Sequence, residues 1–247
     1  MEKTKVQPGT TPADKKFRIT ILGDGPYLVF GQPPLSQQFI VPNSEGNSWD
    51  FAEGLAYKCN DEPTALCRCG ESKNKPYCDG AHVNAAWDPR LTASGEPLLS
   101  GAEVFEGPEV SLTDNESYCV FARFCDAKGR VWNLVGQSDD PAARELTVRE
   151  ANMCPGGRLS AWDNKTQKPF EPVYAPSLAL IEDPALHVSG GLWVRGGIAV
   201  QKENGDTYEV RNRVVLCRCG QSSNKPFCDG THASMKFRDG LPDKPGK

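Results

Sequence analysis

Three cysteines and a histidine recur twice in this chain at one spacing, C-x-C-x8-C-x3-H: Cys67, Cys69, Cys78 and His82, then Cys217, Cys219, Cys228 and His232. Thiolates and a neutral imidazole are ligands for zinc or for iron-sulfur clusters. Structural zinc knuckles favour two to four residues between the leading cysteines; here there is one. Adjacent C-x-C thiolates suit two ligands on a single iron, with the returning loop bringing the third cysteine and the histidine to a second iron. A cysteine and a histidine four residues apart share one face of a helical turn, and Asp79 is a candidate cap for that turn. Pro76 stiffens the loop before Cys78. Gly70 and Ser72 can bring N–H and O–H donors toward inorganic sulfides, which raises the reduction potential.

The elements that must position these ligands read as short strands. Gly (24) and Pro (20) together favour strands joined by turns over long helices. Phe17 to Leu22 alternates apolar and polar residues, Gly23-Asp24-Gly25 is a turn, and Tyr27 to Gly31 is a second strand. Irregular sequence follows, with a turn at Glu45-Gly46-Asn47, and Trp49 heads the segment entering the first ligand set. Residues 190–200 resemble residues 25–35, and Asn204-Gly205 is a hairpin turn leading toward Cys217. The repeat is therefore larger than its ligands. Trp87 and Phe237 each lie five residues past the histidine and read as core packing, with shielding of a cluster edge as the alternative.

Extended this way, C-x-C-x2-(S/T)-x3-P-x-C-D-G-(S/A/T)-H resembles the CDGSH iron-sulfur domain of the NEET family. Both copies fit, through Ser72, Pro76 and Cys78-Asp79-Gly80-Ala81-His82, and through Ser222, Pro226 and Cys228-Asp229-Gly230-Thr231-His232. The resemblance implies a 2Fe-2S cluster per copy. Cys67 and Cys69 would hold the inner iron and Cys78 and His82 the outer one, with Cys217, Cys219, Cys228 and His232 repeating the arrangement. It also implies that the two β-rich units pair into an intramolecular pseudo-dimer. The readings set against this are zinc in both sets, a metal-free copy, and disulfides.

Between the copies the composition changes. Gly129 to Val135 reads as a strand. Ser138 to Asn152 reads as a helix capped by Ser138 or Asp139, and Cys154-Pro155-Gly156-Gly157 ends it. Cys119, Cys125 and Cys154-Pro155 resemble a divergent single-cluster ferredoxin with Ala122 at the second ligand position. Three thiolates can hold a 3Fe-4S cluster. The alternatives are a 4Fe-4S cluster with an outside ligand, or three ordinary buried cysteines. Cys59 reads as a small core residue. A proline-rich stretch then links to the second copy.

The expected fold is mainly β with a small α+β insertion. Its parts are a flexible arm over 1–16, a first unit over 17–101, a ferredoxin-like middle over 102–185, a second unit over 186–240 and a tail over 241–247. Net charge of −4 gives no basic footprint for nucleic acid, and no apolar run reaches membrane-spanning length. Ten cysteines without a secretory signal point to metal binding in a reducing, cytoplasmic setting. Nucleotide fingerprints and catalytic motifs are missing, and His187, the one histidine outside the repeats, reads as a surface residue. An enzyme is not expected. The expected role is electron transfer by a monomer carrying two 2Fe-2S clusters and a third centre, with a redox protein as partner. The alternative is cluster transfer to an apo-acceptor, or redox or pH sensing.

Overall fold

The computed structural model describes residues 11–243; the outer parts of the expected arm and tail, residues 1–10 and 244–247, lie outside the described residues. The first half of the chain gives β1 (Arg18–Ile21), β2 (Tyr27–Phe30), β3 (Leu35–Pro42), β4 (Ser48–Tyr57) and β5 (Thr64–Leu66). The middle gives β6 (Glu103–Glu106), β7 (Val110–Asp114), α1 (Val131–Val135), α2 (Pro141–Met153) and β8 (Leu159–Asp163). The last part gives β9 (Ser177–Asp183), β10 (Val188–Arg195), β11 (Ala199–Lys202), β12 (Arg213–Leu216) and the single turn α3 (Thr231–Ser234).

The two terminal units build their sheets jointly. One sheet runs β11-β1-β2-β5 and another β12-β10-β9-β3-β4. Strands β1, β2 and β5 are antiparallel neighbours, and so are β9, β10 and β12. Each trio then receives one parallel strand from the other unit: β11 lies on β1, and β3 lies on β9. The two units are thus interleaved halves of one β-rich body. Their inward faces, including Ile19, Ile21, Tyr27, Val29, Leu178, Leu180, Leu192 and Val194, form one core. Fully burying each large apolar side chain there contributes about 1.5–3 kcal/mol. Cys59 belongs to this core.

Several local readings change. Leu35–Pro42, expected to be irregular, is a strand, because β9 and β4 flank it on both sides and bury Ser36, Gln37 and Gln38 with the apolar residues. Ser177–Asp183, expected in the linker, is a central buried strand. Asn204-Gly205 does form a turn, but the chain leaves its hairpin after Thr207, and β12 pairs with β10.

The insertion is a three-stranded sheet, β6-β7-β8, with α1 and α2 against it. Residues 131–135 are helical where a strand was expected. Val131 and Val135 face the insertion's core at helical spacing and are fully buried. Helix α2 is capped by Asp140, whose carboxylate accepts from the Ala142 N–H at 3.2 Å. The expected cap Ser138 instead accepts from the N–H groups of Glu109 and Val110. The helix stops at Met153, so Cys154 sits at its C-terminal end.

Candidate metal centres

Both repeats fold their ligand loops in the same way. Cys67 N–H donates to Pro76 O and Cys78 N–H to Ala65 O, each at 2.9 Å. In the second copy Cys217 N–H donates to Pro226 O at 2.8 Å and Cys228 N–H to Val215 O at 2.9 Å. The leading cysteines leave the end of β5 or β12, and this short hairpin returns the third cysteine beside them. Asp79 accepts from the N–H groups of Lys73 and Ala81, and Asp229 from those of Ser223 and Thr231. Each aspartate ties the loop to the turn that carries the histidine. The hydroxyls of Ser72 and Ser222 donate to Tyr77 O and Phe227 O, so they brace the loop.

The donors come in pairs. Cys67 and Cys69 Sγ are 3.8 Å apart, and Cys78 Sγ is 3.3 Å from His82 Nδ1. The second copy gives 3.7 Å for Cys217–Cys219 and 3.3 Å for Cys228–His232 Nδ1. Two thiolates on one tetrahedral metal at about 2.3 Å stand about 3.8 Å apart, and a thiolate and an imidazole about 3.6 Å. Each pair therefore has nearly the separation that a single metal ion imposes, and each copy holds two such pairs. Among the described residues, no three Cys, His, Asp or Glu side chains converge as ligands of one ion. The ligands of a two-metal centre need not converge, because each pair would hold its own metal ion.

The thiols of each leading pair are coupled. The hydrogen bond from Cys69 depresses Cys67 to about 6, against burial and helped by the Ser72 and Gly70 N–H groups. Cys217 is likewise depressed to about 7 by Cys219. One member of each pair is thus poised as a thiolate. Burial, followed by the Arg218 charge, lowers His232 to about 4, so its imidazole is neutral and able to ligate at neutral pH.

The two copies touch at their ligands. A Cβ on Gly70 would meet Cys219 O at 2.7 Å, and one on Gly220 would collide with Cys69 O. Glycine at both places lets the two C-x-C segments lie back to back. Phe237 packs in one small core cluster with Cys217 and Cys219, in line with the core-packing expectation. Trp87 instead lies against the Arg68 guanidinium, 4.5 Å away, and its Nε1–H donates to His82 O. Lys75 and Lys225 donate to the carbonyls of Ser72 and Ser222, and Lys225 is buried.

The middle cysteines also come together. Cys119, Cys125 and Cys154 line one cavity of about 20 Å³, with Ala122 and Arg158. Burial, followed by the charges of its two fellow cysteines, pushes Cys125 up to about 12. Arg158 is a nearby cation held by the Asp114 carboxylate, which also accepts from Trp132 Nε1–H at 3.0 Å. The donor set suits a cluster ligated by three thiolates.

Four arginines near the sites were not singled out from the sequence. Arg68 and Arg218 are the middle residues of the two C-x-C segments and are nearly fully buried. Their recurrence between ligands was the available signal. Arg123 and Arg158 had none, because their partners, Asp183 and Asp114, are remote in sequence.

Comparison with protein families matches the iron-binding zinc finger CDGSH type at residues 24–83 and 189–233, and the divergent 4Fe-4S mono-cluster type at residues 105–164 between them. Searches of curated proteins and of solved structures each returned no match. Among the described residues no helix is long and apolar enough to cross a membrane.

Proposed function

We propose, from a chain that carries two CDGSH-type iron-binding segments around a divergent 4Fe-4S segment, that this iron-sulfur protein transfers electrons through two 2Fe-2S clusters and a third centre in the insertion. A 2Fe-2S cluster in each repeat would supply one-electron chemistry. The residues that would hold these clusters are Cys67, Cys69, Cys78 and His82, and Cys217, Cys219, Cys228 and His232. The third set is Cys119, Cys125 and Cys154, read as 3Fe-4S because Ala122, with no donor atom, lines the same cavity.

The observation that carries the electron-transfer reading is contiguity. The backbone of Cys69 lies against that of Cys219 through Gly70 and Gly220, and Gly230 of the second set lies against Cys119 of the third. Each ligand set is therefore next to another. The buried Tyr27 hydroxyl, donating to Cys217 O at 2.9 Å, and the Phe237 ring keep water from the inner thiolates.

Iron and sulfide counts on the purified protein, with EPR before and after reduction, test this reading. A red-brown protein with two reducible 2Fe-2S centres and an oxidised-state 3Fe-4S signal is expected. A colourless, zinc-containing protein would sink it. Cluster transfer is the second reading, favoured by the partial exposure of Cys78 and His82. Incubating the holoprotein with an apo-ferredoxin separates the two.

A further inference from the structure

The repeats share their ligands and differ in what covers them. Gly80 and Gly230 occupy equivalent places with the same left-handed backbone, φ +86° and +87°. Nothing lies within 4 Å of a Cβ built on Gly80. A Cβ on Gly230 would meet Cys119 O and the Phe121 Cβ, each at 3.2 Å. The cover is the loop Cys119–Arg123 from the insertion. Val120 and Ala122 pack in one apolar cluster with Cys228. Phe121 lines a crevice of about 10 Å³ with His232. Arg123 clamps the loop through its ion pair to Asp183 at 2.7 Å and donates back to Phe121 O at 3.2 Å. Phe121 and Arg123 have φ of +54° and +63°, a conformation that such residues keep only when surrounding contacts impose it. As a result Cys228 and His232 are 3% and 6% exposed, whereas Cys78 and His82 are partly open.

We infer that this loop divides the two repeats into a captive site and an exchanging site: the second set retains its iron, and the first trades iron or cluster with a partner that offers thiolate donors. This rests on reading both sets as cluster ligands. The step at the first set is a ligand exchange without change of electron count. A thiolate of the partner would take the coordination place that the His82 imidazole would hold on the iron, and the imidazole would leave with its own lone pair, so that one donor is exchanged for another. The incoming donor must reach the outer pair. At Cys78 and His82 it can do so directly. At Cys228 and His232 the loop must first lift, which breaks the Arg123–Asp183 pair and bares Val120 and Ala122 to water.

The experiment is iron release from the oxidised full-length holoprotein to the ferric chelator EDTA, followed by loss of the cluster absorbance. The two repeats should release iron in two phases separated by about tenfold or more, since the slow one includes a local opening; iron of the third set is a separate component, identified by its loss when Cys125 is replaced by Ser. Replacing Cys67 and Cys69 by Ser should remove the fast phase, and replacing Cys217 and Cys219 by Ser the slow one. Arg123→Ala should quicken the slow phase by about threefold or more and leave the fast one alone. Amide hydrogen exchange of the holoprotein gives a second readout: residues 119–123 should be protected, and less so in Arg123→Ala. Equal release rates at the two sets, or a slow phase and an exchange pattern indifferent to Arg123→Ala, overturn the inference and leave the cluster assignment standing. A protein that takes up no iron overturns both.

Discussion

Arg68 and Arg218 stand at the same place in the two repeats, each buried between the leading cysteines, and they are compensated differently. Among the described residues Arg68 donates only to carbonyls, those of Leu22, Gly23, Gly25 and Pro89. Arg218 meets two carboxylates, Asp239 at 2.5 Å and Glu182 at 3.0 Å. Burial would raise Asp239, but Arg218 holds it below the usual carboxylate range; burial pushes Glu182 up to about 8 despite the same arginine.

An uncompensated cation favours the reduced, more negative state of a nearby centre, so the first set should have the higher potential. At roughly 10 Å and an effective dielectric constant of about 20, one charge is worth about 1–2 kcal/mol, or some tens of millivolts for one electron. Asp239→Asn should raise the potential of the second set and narrow the gap. Potentiometry that finds the two sets equal before and after the change would refute this.

Exchanging a neutral imidazole for a thiolate adds negative charge and removes a proton-accepting ligand. His82→Cys should therefore lower the potential of the first set and make it more stable in acid. In the native protein at least one potential should vary between roughly pH 6 and 9, because imidazole protonation couples to reduction. Redox titrations across that range check both statements, and flat midpoints would contradict them.

Ala122 lines the same cavity as Cys119, Cys125 and Cys154. Ala122→Cys should complete a four-thiolate set, converting an oxidised-state 3Fe-4S EPR signal into a 4Fe-4S centre that is silent until reduced. Removing the Asp114 carboxylate would leave the half-buried Arg158 charge unpaired, at a cost of about 3–5 kcal/mol. Asp114→Ala should thus lower the denaturation midpoint as well as third-centre occupancy.

Glu150, on α2, is 1% exposed; its Oε1 accepts from the Lys128 N–H at 2.7 Å, and its Oε2 has no partner among the described residues. Burial raises its carboxyl to about 7. The folded state then keeps a proton that the unfolded chain releases near pH 4.3. The resulting stability is complete below that pH and is lost as pH rises toward 7. Glu150→Gln should flatten this loss by about 1–2 kcal/mol once solvent screening is allowed for. Urea midpoints of both proteins at pH 5 and pH 8 give the comparison, and parallel pH dependences would count against it.

The ligand loops were legible because their geometry is local. Ser72 braces Asn74 and Tyr77, and Asp79 braces Lys73 and Ala81, all within a few residues, and the second copy repeats every bond. Strand β3 was hidden because a central strand buries glutamines and serine along with its apolar residues, which erases alternation. The helix at Val131–Val135 was misread because β-branched and aromatic residues in so short a run suit either period.

By itself, then, the sequence determined which side chains can ligate metal, in what pairs, and that the unit occurs twice with an insertion between. Tertiary structure decided everything that depends on partners distant in the chain. It interleaved the two units through β3 on β9 and β11 on β1, gave Arg218 carboxylates that Arg68 lacks, and laid Cys119–Arg123 over His232 while leaving His82 partly open. Identical ligands became unequal sites because burial and charge compensation are set by what packs against a residue, and neither is written in the spacing of the residues themselves.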